Sequence, residues 1–370
     1  MASKSLRDIL GYVSLTGLVN ANVPDLPTPL PSAFRSAVKK VEGNTGRYTR
    51  LVNARTVARL NKYGAAALPV NMQPIGEFDV KCLSQFESIT LDPWTLLALR
   101  NFTNYDLQDR AKDLVAFQAA EFRRRSDHLR NTVDMIALSR GKIWYDVDGN
   151  LLPSSSGAAV TADFQIPAAQ VGATIATFTG VTGSWHTVST NIPTQLLEMK
   201  RKSQRAHGYE SEIILYGKNV PALLSKNDYM QPYLARQETN FRPQWLKDGD
   251  IQPSYKMLGY NWYPAYQAFW NDQNGTAQEI VDDNAIIFLP APAQTWWEHM
   301  EGQQLVPTNF NPVQTDLSGV NNDYKMVHGR GMYAVQGIQP NVSITMYGFD
   351  NFTPVIKVPE VVYSLTCGVP

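Results

Sequence analysis

The sequence predicts an α+β fold in which one long helix lies against a mixed sheet. Three observations carry this. A single helical face persists, without proline, from about residue 104 to 140. Short apolar segments recur in the last quarter, as in DDNAIIFLP and MYAVQGIQPNVSITMYGF. Shorter helical stretches with their own start and stop signals lie between them. The 370 residues are 44% hydrophobic and 18% charged, as expected of a folded chain.

Residues 22–36, NVPDLPTPLPSAFRS, contain Pro24, Pro27, Pro29 and Pro31. Proline fixes φ and removes a donor, so this stretch reads as an extended arm. The preceding residues are amphipathic but carry no long apolar core and no small-residue cleavage site, so no signal peptide is expected. No apolar run reaches the roughly 18 residues of a membrane span. Residues 37–90 hold strand-like pieces, RYTRLV and EFDVKCLSQFESITL, around a Gly/Ala/Pro-rich tip, KYGAAALPVNMQP. So long an extended stretch is unusual inside a compact monomer and predicts a projecting loop that packs on another chain.

The long helix starts at a Thr103 or Asn104 cap, with Asp106 and Asp109 near its positive end. Leu107, Ala111, Leu114, Gln118, Phe122, Leu129, Val133 and Ile136 share one face, and Arg140-Gly141 closes it. At about 1.5 Å per residue it spans roughly 50–55 Å. Within it lies AAEFRRRSDHLR, residues 119–130. Consecutive residues are turned by about 100°, so the three arginines cannot share a face. Arg123 is expected on the polar side with Lys112 and Arg130. Arg125 is expected in the apolar stripe between Phe122 and Leu129, tied down by a partner or at a subunit boundary.

Beyond it, IWYDVDGNLLP alternates around Asp148-Gly149 and predicts a hairpin. Residues 153–184 are rich in Ser, Gly, Ala and Thr. A second helix is expected from Pro193 to about Ala206, after Thr190 or Asn191 and before His207-Gly208. The strand EIILYG then leads into the helix VPALLSKND. Residues 229–275 are rich in aromatic residues and proline, and the tail is repeatedly strand-like.

Thirty-three Lys and Arg balance thirty-three Asp and Glu. A dedicated DNA-binding protein usually carries a basic excess, so the balance argues against that role. The charge is unevenly placed. Residues 31–70 hold eight bases and one acid, net +7, and residues 271–370 hold three bases and ten acids, net −7. Two solvated faces that happen to differ, or a basic arm of one copy meeting an acidic surface of the next, both fit.

Catalytic signatures are absent: there is no GxSxG, GxxxxGK[ST], HExxH or strand-linked GxGxxG. His128, His186, His207, His299 and His328 share no metal-ligand spacing and read as surface or loop histidines. Cys82 and Cys367 form no CxxC, which fits free thiols in a reducing compartment. Neither metal nor cofactor is expected. His328-Gly329-Arg330-Gly331 reads as a turn between strands. Trp296-Trp297-Glu298-His299 reads as packing, although the aromatic 229–300 region also admits a carbohydrate-active hydrolase with two facing carboxylates.

The order of elements, with EIILYGKNVPALLSKNDYM, DDNAIIFLPAPAQTWWEHMEG and FDNFTPVIKVPEVVYSLTCG, resembles the lambda gene-E-type major capsid proteins of tailed bacteriophages, which have the Hong Kong 97 fold. The resemblance runs from about residue 35 to the C-terminus. It implies an N-terminal arm over 1–36, an extended loop over 37–90 and a peripheral domain over 91–211 built on the 104–140 spine. A mainly axial domain over 212–335 and terminal peripheral strands over 336–370 complete the layout.

The implied function is a non-enzymatic shell subunit, assembled as hexamers and pentamers around packaged double-stranded DNA that it contacts without sequence preference. The shell would lie in the virion and its subunits would be made in the host cytoplasm. The implied partners are a separate scaffold, a portal and decoration proteins, with no membrane. Arg47, Arg50, Arg55, Arg59, Lys62 and Arg125 are the expected intersubunit residues. Lys112, Arg123 and Arg130 are those expected to face the lumen and DNA. Some members of the fold class cross-link through a lysine, for which only Lys62 is placed, and no cross-link is expected. An encapsulin-like compartment is the nearest alternative shell.

Overall fold

The computed structural model describes residues 10, 12–20, 30, 32–35, 37–51, 75–100, 105–236, 255–265, 269–271, 276–293, 295–307, 324–337 and 343–368. In chain order these form α1 (Tyr12–Val19), a 3-10 turn (Ser32–Arg35), β1 (Val38–Lys40), β2 (Thr45–Leu51), β3 (Ile75–Lys81), β4 (Leu83–Leu91), α2 (Pro93–Arg100) and α3 (Tyr105–Arg140). Next come β5 (Lys142–Tyr145), β6 (Leu151–Leu152), β7 (Val160–Asp163), β8 (Val171–Thr174), α4 (Ile175–Thr179), α5 (Ile192–His207), β9 (Ser211–Tyr216), α6 (Val220–Lys226) and α7 (Gln231–Arg236). Strands follow: β10 (Tyr255–Met257), β11 (Tyr260–Pro264), β12 (Phe269–Asn271), β13 (Ala277–Glu279), β14 (Ala285–Pro290), β15 (Trp297–Glu301), β16 (Gln303–Pro307), β17 (Tyr324–His328), β18 (Arg330–Gly337), β19 (Ser343–Ile356) and β20 (Tyr363–Thr366).

The 36 residues of α3 span about 54 Å. Gly141, in the left-handed region at φ 70°, ends the helix and donates to the Ala137 carbonyl at 3.2 Å. Ala111, Val115, Ala119 and Phe122 pack with α1 on Met332, Ile344 and Met346 of β18 and β19. The buried stripe then passes through Ser126, not Arg125: Ser126 is fully buried, whereas the Arg125 side chain is 47% exposed. A step of four from Phe122 keeps to the inner face, and Arg125 falls on its flank.

The chain's N-terminal part contributes to this core. Leu10, Leu15 and Val19 are fully buried. The arm expected to be extended over 22–36 tightens into a 3-10 turn at Ser32–Arg35, because Phe34 fills a slot between Trp296 and Trp297, at ring centroids 5.8 and 5.7 Å. Residues 21–29 lie outside the described set.

Two larger sheets flank the spine. In one, β19 is central, with β18 and β15 along one side and β4 along the other, and β1 outside β15. The other runs β10-β11-β9-β14-β20-β8. Its β14, and β9 from Ile213 to Tyr216, are buried throughout because both faces are covered. Ile213, Leu215, Ile287 and Leu289 pack with the second half of α3, and Ile214, Tyr216, Ile286 and Phe288 pack with α5 and α6. Helix α5 has the expected caps: the Asn191 side chain accepts from the Thr194 N–H at 3.1 Å, and Gly208 adopts φ 81°. The expected hairpin is β5–β6, with Gly149 at φ 83°.

Candidate assembly surface

Strands β2 and β3 pair in unbroken antiparallel register from Thr45↔Lys81 to Leu51↔Ile75, forming a two-stranded ribbon. Tyr48 stacks on Phe78 at 5.7 Å, and Arg47 pairs with Asp79 at 3.0 Å and Glu77 at 3.7 Å. Among the described residues the ribbon is buried near its root, where Val41 and Tyr48 meet Met300 and Val355. A Cβ on Gly46 would run into the Met300 sulfur, so a larger residue there would require the Met300 side chain to shift.

A second ribbon, β16–β17, rises beside the first. The Gln303 N–H donates to the Gly43 carbonyl at 2.8 Å, and the Gly43 N–H donates to Gln303 Oε1 at 2.9 Å. Leu305 and Met326 oppose each other on it, both about half exposed. Arg50 lies in β2, while Arg55, Arg59 and Lys62 fall outside the described residues.

The arginines of α3 occupy other places than their sequence predicts. Arg130 points into the subunit. Its Nε donates to Asp350 Oδ2 at 2.8 Å and its Nη1 to Glu301 Oε1 at 3.1 Å. Arg330 of β18 joins the cluster, pairing with Asp127 at 2.6 Å and with Asp350 at 3.4 Å. The Ser126 hydroxyl also donates to Asp350. Burial pushes the Asp350 carboxyl up, but Arg130, Arg330 and Ser126 outweigh it and hold it below the usual carboxylate range. Burial likewise opposes the charge on Arg130, and Asp350 and Glu301 more than restore it.

Arg123 is turned inward too, pairing with Asp127 at 3.4 Å and donating to the Val19 carbonyl at 3.3 Å. Arg123 and Arg130, expected to face the lumen, are thus each held by groups of their own subunit. Acids on β15 and β19 and one helical turn away draw them in, since a guanidinium is desolvated cheaply only beside carboxylates. Lys112 keeps to the surface, paired with Asp109 at 2.9 Å.

A groove of about 1030 Å³ runs between β4, the outer flank of α3 and the β5–β6 turn. Arg125 lies in it, paired with Glu87 of β4 at 3.0 Å, and Arg124 lies near Glu121 at 3.5 Å. Both arginines are thus matched by acids on the groove's own walls.

The chemistry-bearing motifs resolve into packing. Trp296 and Trp297 are buried, with their indole N–H groups on the Ala291 and Phe34 carbonyls at 2.8 and 2.9 Å. Tyr260 and Trp262 are buried in the six-stranded sheet, so these four aromatic residues line no sugar-binding cleft. His299 is not at the surface: it is 4% exposed and faces Asp134 of α3 at 2.9 Å. Gly329, at φ 70°, makes the expected turn before Arg330. Among the described residues no group of three or more His, Cys, Asp or Glu side chains could hold a metal ion. No helix among them is long and apolar enough to cross a membrane.

Sequence reasoning missed Asp127, Glu301, Arg330 and Asp350 as a unit. The one available signal was Asp350 itself, a charged residue within an otherwise apolar strand pattern, which requires a buried partner.

The family model for phage major capsid protein E matches residues 12–303. No curated protein matches the chain by sequence. Among solved structures, a prophage protein of E. coli CFT073, described as its capsid protein, shares 11% identity, with 96% of this chain and 99% of that chain covered and a TM-score of 0.54. The mature capsid of bacteriophage PhiM1 shares 12% identity over 95% of this chain and 91% of that one, at a TM-score of 0.46. The mixed helix-and-strand fold is the Hong Kong 97-like capsid fold expected above. With most of its length matched, the chain belongs to the phage major capsid protein E family.

Proposed function

We propose that the basic ribbon of one copy reaches onto the body of a neighbour, so that the icosahedral head shell this major capsid protein forms is closed by subunits that complete one another. The observation that carries this reading is the β2–β3 ribbon, whose described residues join their own body near its root. Arg47 pairs within the ribbon with Glu77 and Asp79, and with Arg50, Arg55, Arg59 and Lys62 it makes up the basic set assigned to the contact with the neighbour. Three acids of the C-terminal third, Glu298, Glu301 and Asp350, are matched internally by Lys357, Arg130 and Arg330. Glu279 and Asp282 are exposed and supply counter-charge for the neighbour's loop. Arg125, in its groove, is a second intersubunit position.

Copies would group as hexamers and pentamers, with residues 91–211 and 336–370 forming the peripheral domain and 212–335 mainly the axial one. The role is structural, in the virion. The packaged DNA would meet the shell weakly and without sequence preference, through surface cations such as Lys112. A separate scaffold, a portal and decoration proteins complete the partners, with synthesis in the host cytoplasm and no cross-link through Lys62.

The test is assembly of the purified chain, followed by negative-stain microscopy and sedimentation. Wild-type chain should give closed shells, more slowly as salt rises. Replacing Arg55, Arg59 and Lys62 together by Glu should leave a folded subunit that does not close shells. Shells at wild-type yield from that variant would overturn the ribbon's role, and a chain that assembles neither alone nor with its scaffold present would overturn the shell reading for this protein.

A further inference from the structure

The central sheet has two long edges, and among the described residues only one is sealed. On β18 the Met332 N–H donates to Thr16 Oγ1 at 3.2 Å, and that hydroxyl donates to the Met332 carbonyl at 3.1 Å, so α1 closes this edge with a side chain. The other edge is β4, and among the described residues no strand lies beyond it.

The register shows which groups that edge presents. The Asn351 N–H donates to the Gly329 carbonyl at 3.2 Å, and the Asn351 carbonyl accepts from the Gly302 N–H at 3.1 Å. Asn351 thus spends both backbone groups away from β4, and its cross-strand partner is Ser84. In an antiparallel pair such residues turn their N–H and C=O outward, and the pattern alternates. Ser84, Phe86, Ser88 and Thr90 therefore aim their backbone donors and acceptors at the open side, while Gln85, Glu87 and Ile89 bond to β19. The outward position of Met332, opposite Gly348, follows the same alternation on the other edge.

Lone edges are normally blunted by lysine, proline, a bulge or shortness. Strand β4 has nine residues, no proline and an unbroken register from Leu83↔Phe352 to Leu91↔Ile344. Its outward row is uncharged. Phe86, 52% exposed, stacks on Tyr347 at 5.5 Å, and Tyr347 stacks on Tyr333 at 5.3 Å, which continues an aromatic face beside the edge. The groove along α3 borders the same strand.

We infer that the β4 edge is a strand-acceptor site, filled by an extended segment of a second copy of this chain. Backbone hydrogen bonds would supply the affinity, and the aromatic face and groove the fit for alternate side chains. A second copy is the occupant because the protein builds a closed shell of its own copies, whose subunits are covered by one another. Nucleic acid does not fit, because Arg124 and Arg125 are already matched by Glu121 and Glu87. The inference rests on the shell reading and adds to it the contacted edge.

The experiment is residue-level amide hydrogen exchange on the full chain, as free subunits and as particles made from purified chain alone. Exchange at Ser84, Phe86, Ser88 and Thr90 should be fast in the subunit and slow at least about 100-fold in the particle, while Gln85, Glu87 and Ile89 are protected in both. Ser88→Pro removes one outward donor, and proline is tolerated on edges; it should lower shell yield, whereas Ser88→Ala should not. Particles in which the four amides still exchange rapidly would overturn the strand-acceptor site and leave the shell reading standing. Protection already present in the free subunit, or appearing only when a different protein is added, would overturn the second copy as occupant. Failure of wild-type chain to form particles both alone and with its scaffold present would overturn the shell reading and this inference with it.

Discussion

Arg130 and Asp350, 220 residues apart in sequence, meet inside the subunit with Arg130 Nε 2.8 Å from Asp350 Oδ2 and Asp350 fully buried. The pair joins the middle of the spine to the central strand of the adjoining sheet. Arg330 and Glu301 extend it to both strands on β19's other side. The spine and sheet thus move as one body, from which the two ribbons project.

Asp350→Asn should strongly destabilise the subunit, because it leaves Arg130 and Arg330 facing a neutral group in a desolvated site. Removing one partner of a buried pair costs on the order of 3–5 kcal/mol. Arg125→Ala, which breaks a half-exposed pair with Glu87, should cost about 0–1 kcal/mol. Urea unfolding of the two variants checks the order, and equal, small effects would refute the assignment.

Acid should loosen the same junction. The folded-state value of Asp350 lies below its ordinary 3.8, so its contribution is fully present above that value and is lost as pH falls through the lowered one. Unfolding midpoints measured from pH 6 down to pH 2 should therefore fall more steeply in wild type than in Asp350→Asn. Parallel curves would remove the carboxylate from the account.

Two glycines should respond oppositely to alanine. A Cβ on Gly348 would lie 2.5 Å from the Phe122 ring, where β19 and α3 pack closest, so Gly348→Ala should cost about 1–3 kcal/mol through overpacking. Gly17 lies in α1 with open space around it, and Gly17→Ala should stabilise by up to about 1 kcal/mol through helix propensity. Thermal melts of both variants decide it.

The cysteines should differ in reactivity. Burial pushes the Cys367 thiol well above its ordinary range, and it raises the partly buried Cys82 thiol as well, against a hydrogen bond from the Gly302 backbone. The thiolate is the reactive form. At pH 8 iodoacetamide should label Cys82 slowly and Cys367 only after denaturation, which peptide mass spectrometry would read directly. Rapid labelling of Cys367 in the native subunit would contradict its burial.

Local rules made much of the chain legible. The spine's length, its Arg140-Gly141 end, the caps of α5 and the β5–β6 turn all follow from short-range periodicity and from backbone demands that few residues meet. Apolar β9 and β14 announced burial, and the element order was enough to suggest a capsid subunit.

What lay beyond reach was every choice made by contact between distant segments. Periodicity put Arg125 in the apolar stripe, but a one-residue difference in phase gave that place to Ser126. Arg130 counted as a polar-face residue only until β19 brought Asp350 against it, and Arg123 only until α1 brought the Val19 carbonyl to it. His299 read as a loop residue because nothing near it in sequence shows Asp134 waiting across the core. The sequence by itself determined the elements, their order and the family, since those rest on neighbours a few residues apart. Only the tertiary structure decided which charges are buried, which sheet edge α1 closes and which one stays open, because desolvation and hydrogen-bond satisfaction depend on what the folded chain places alongside.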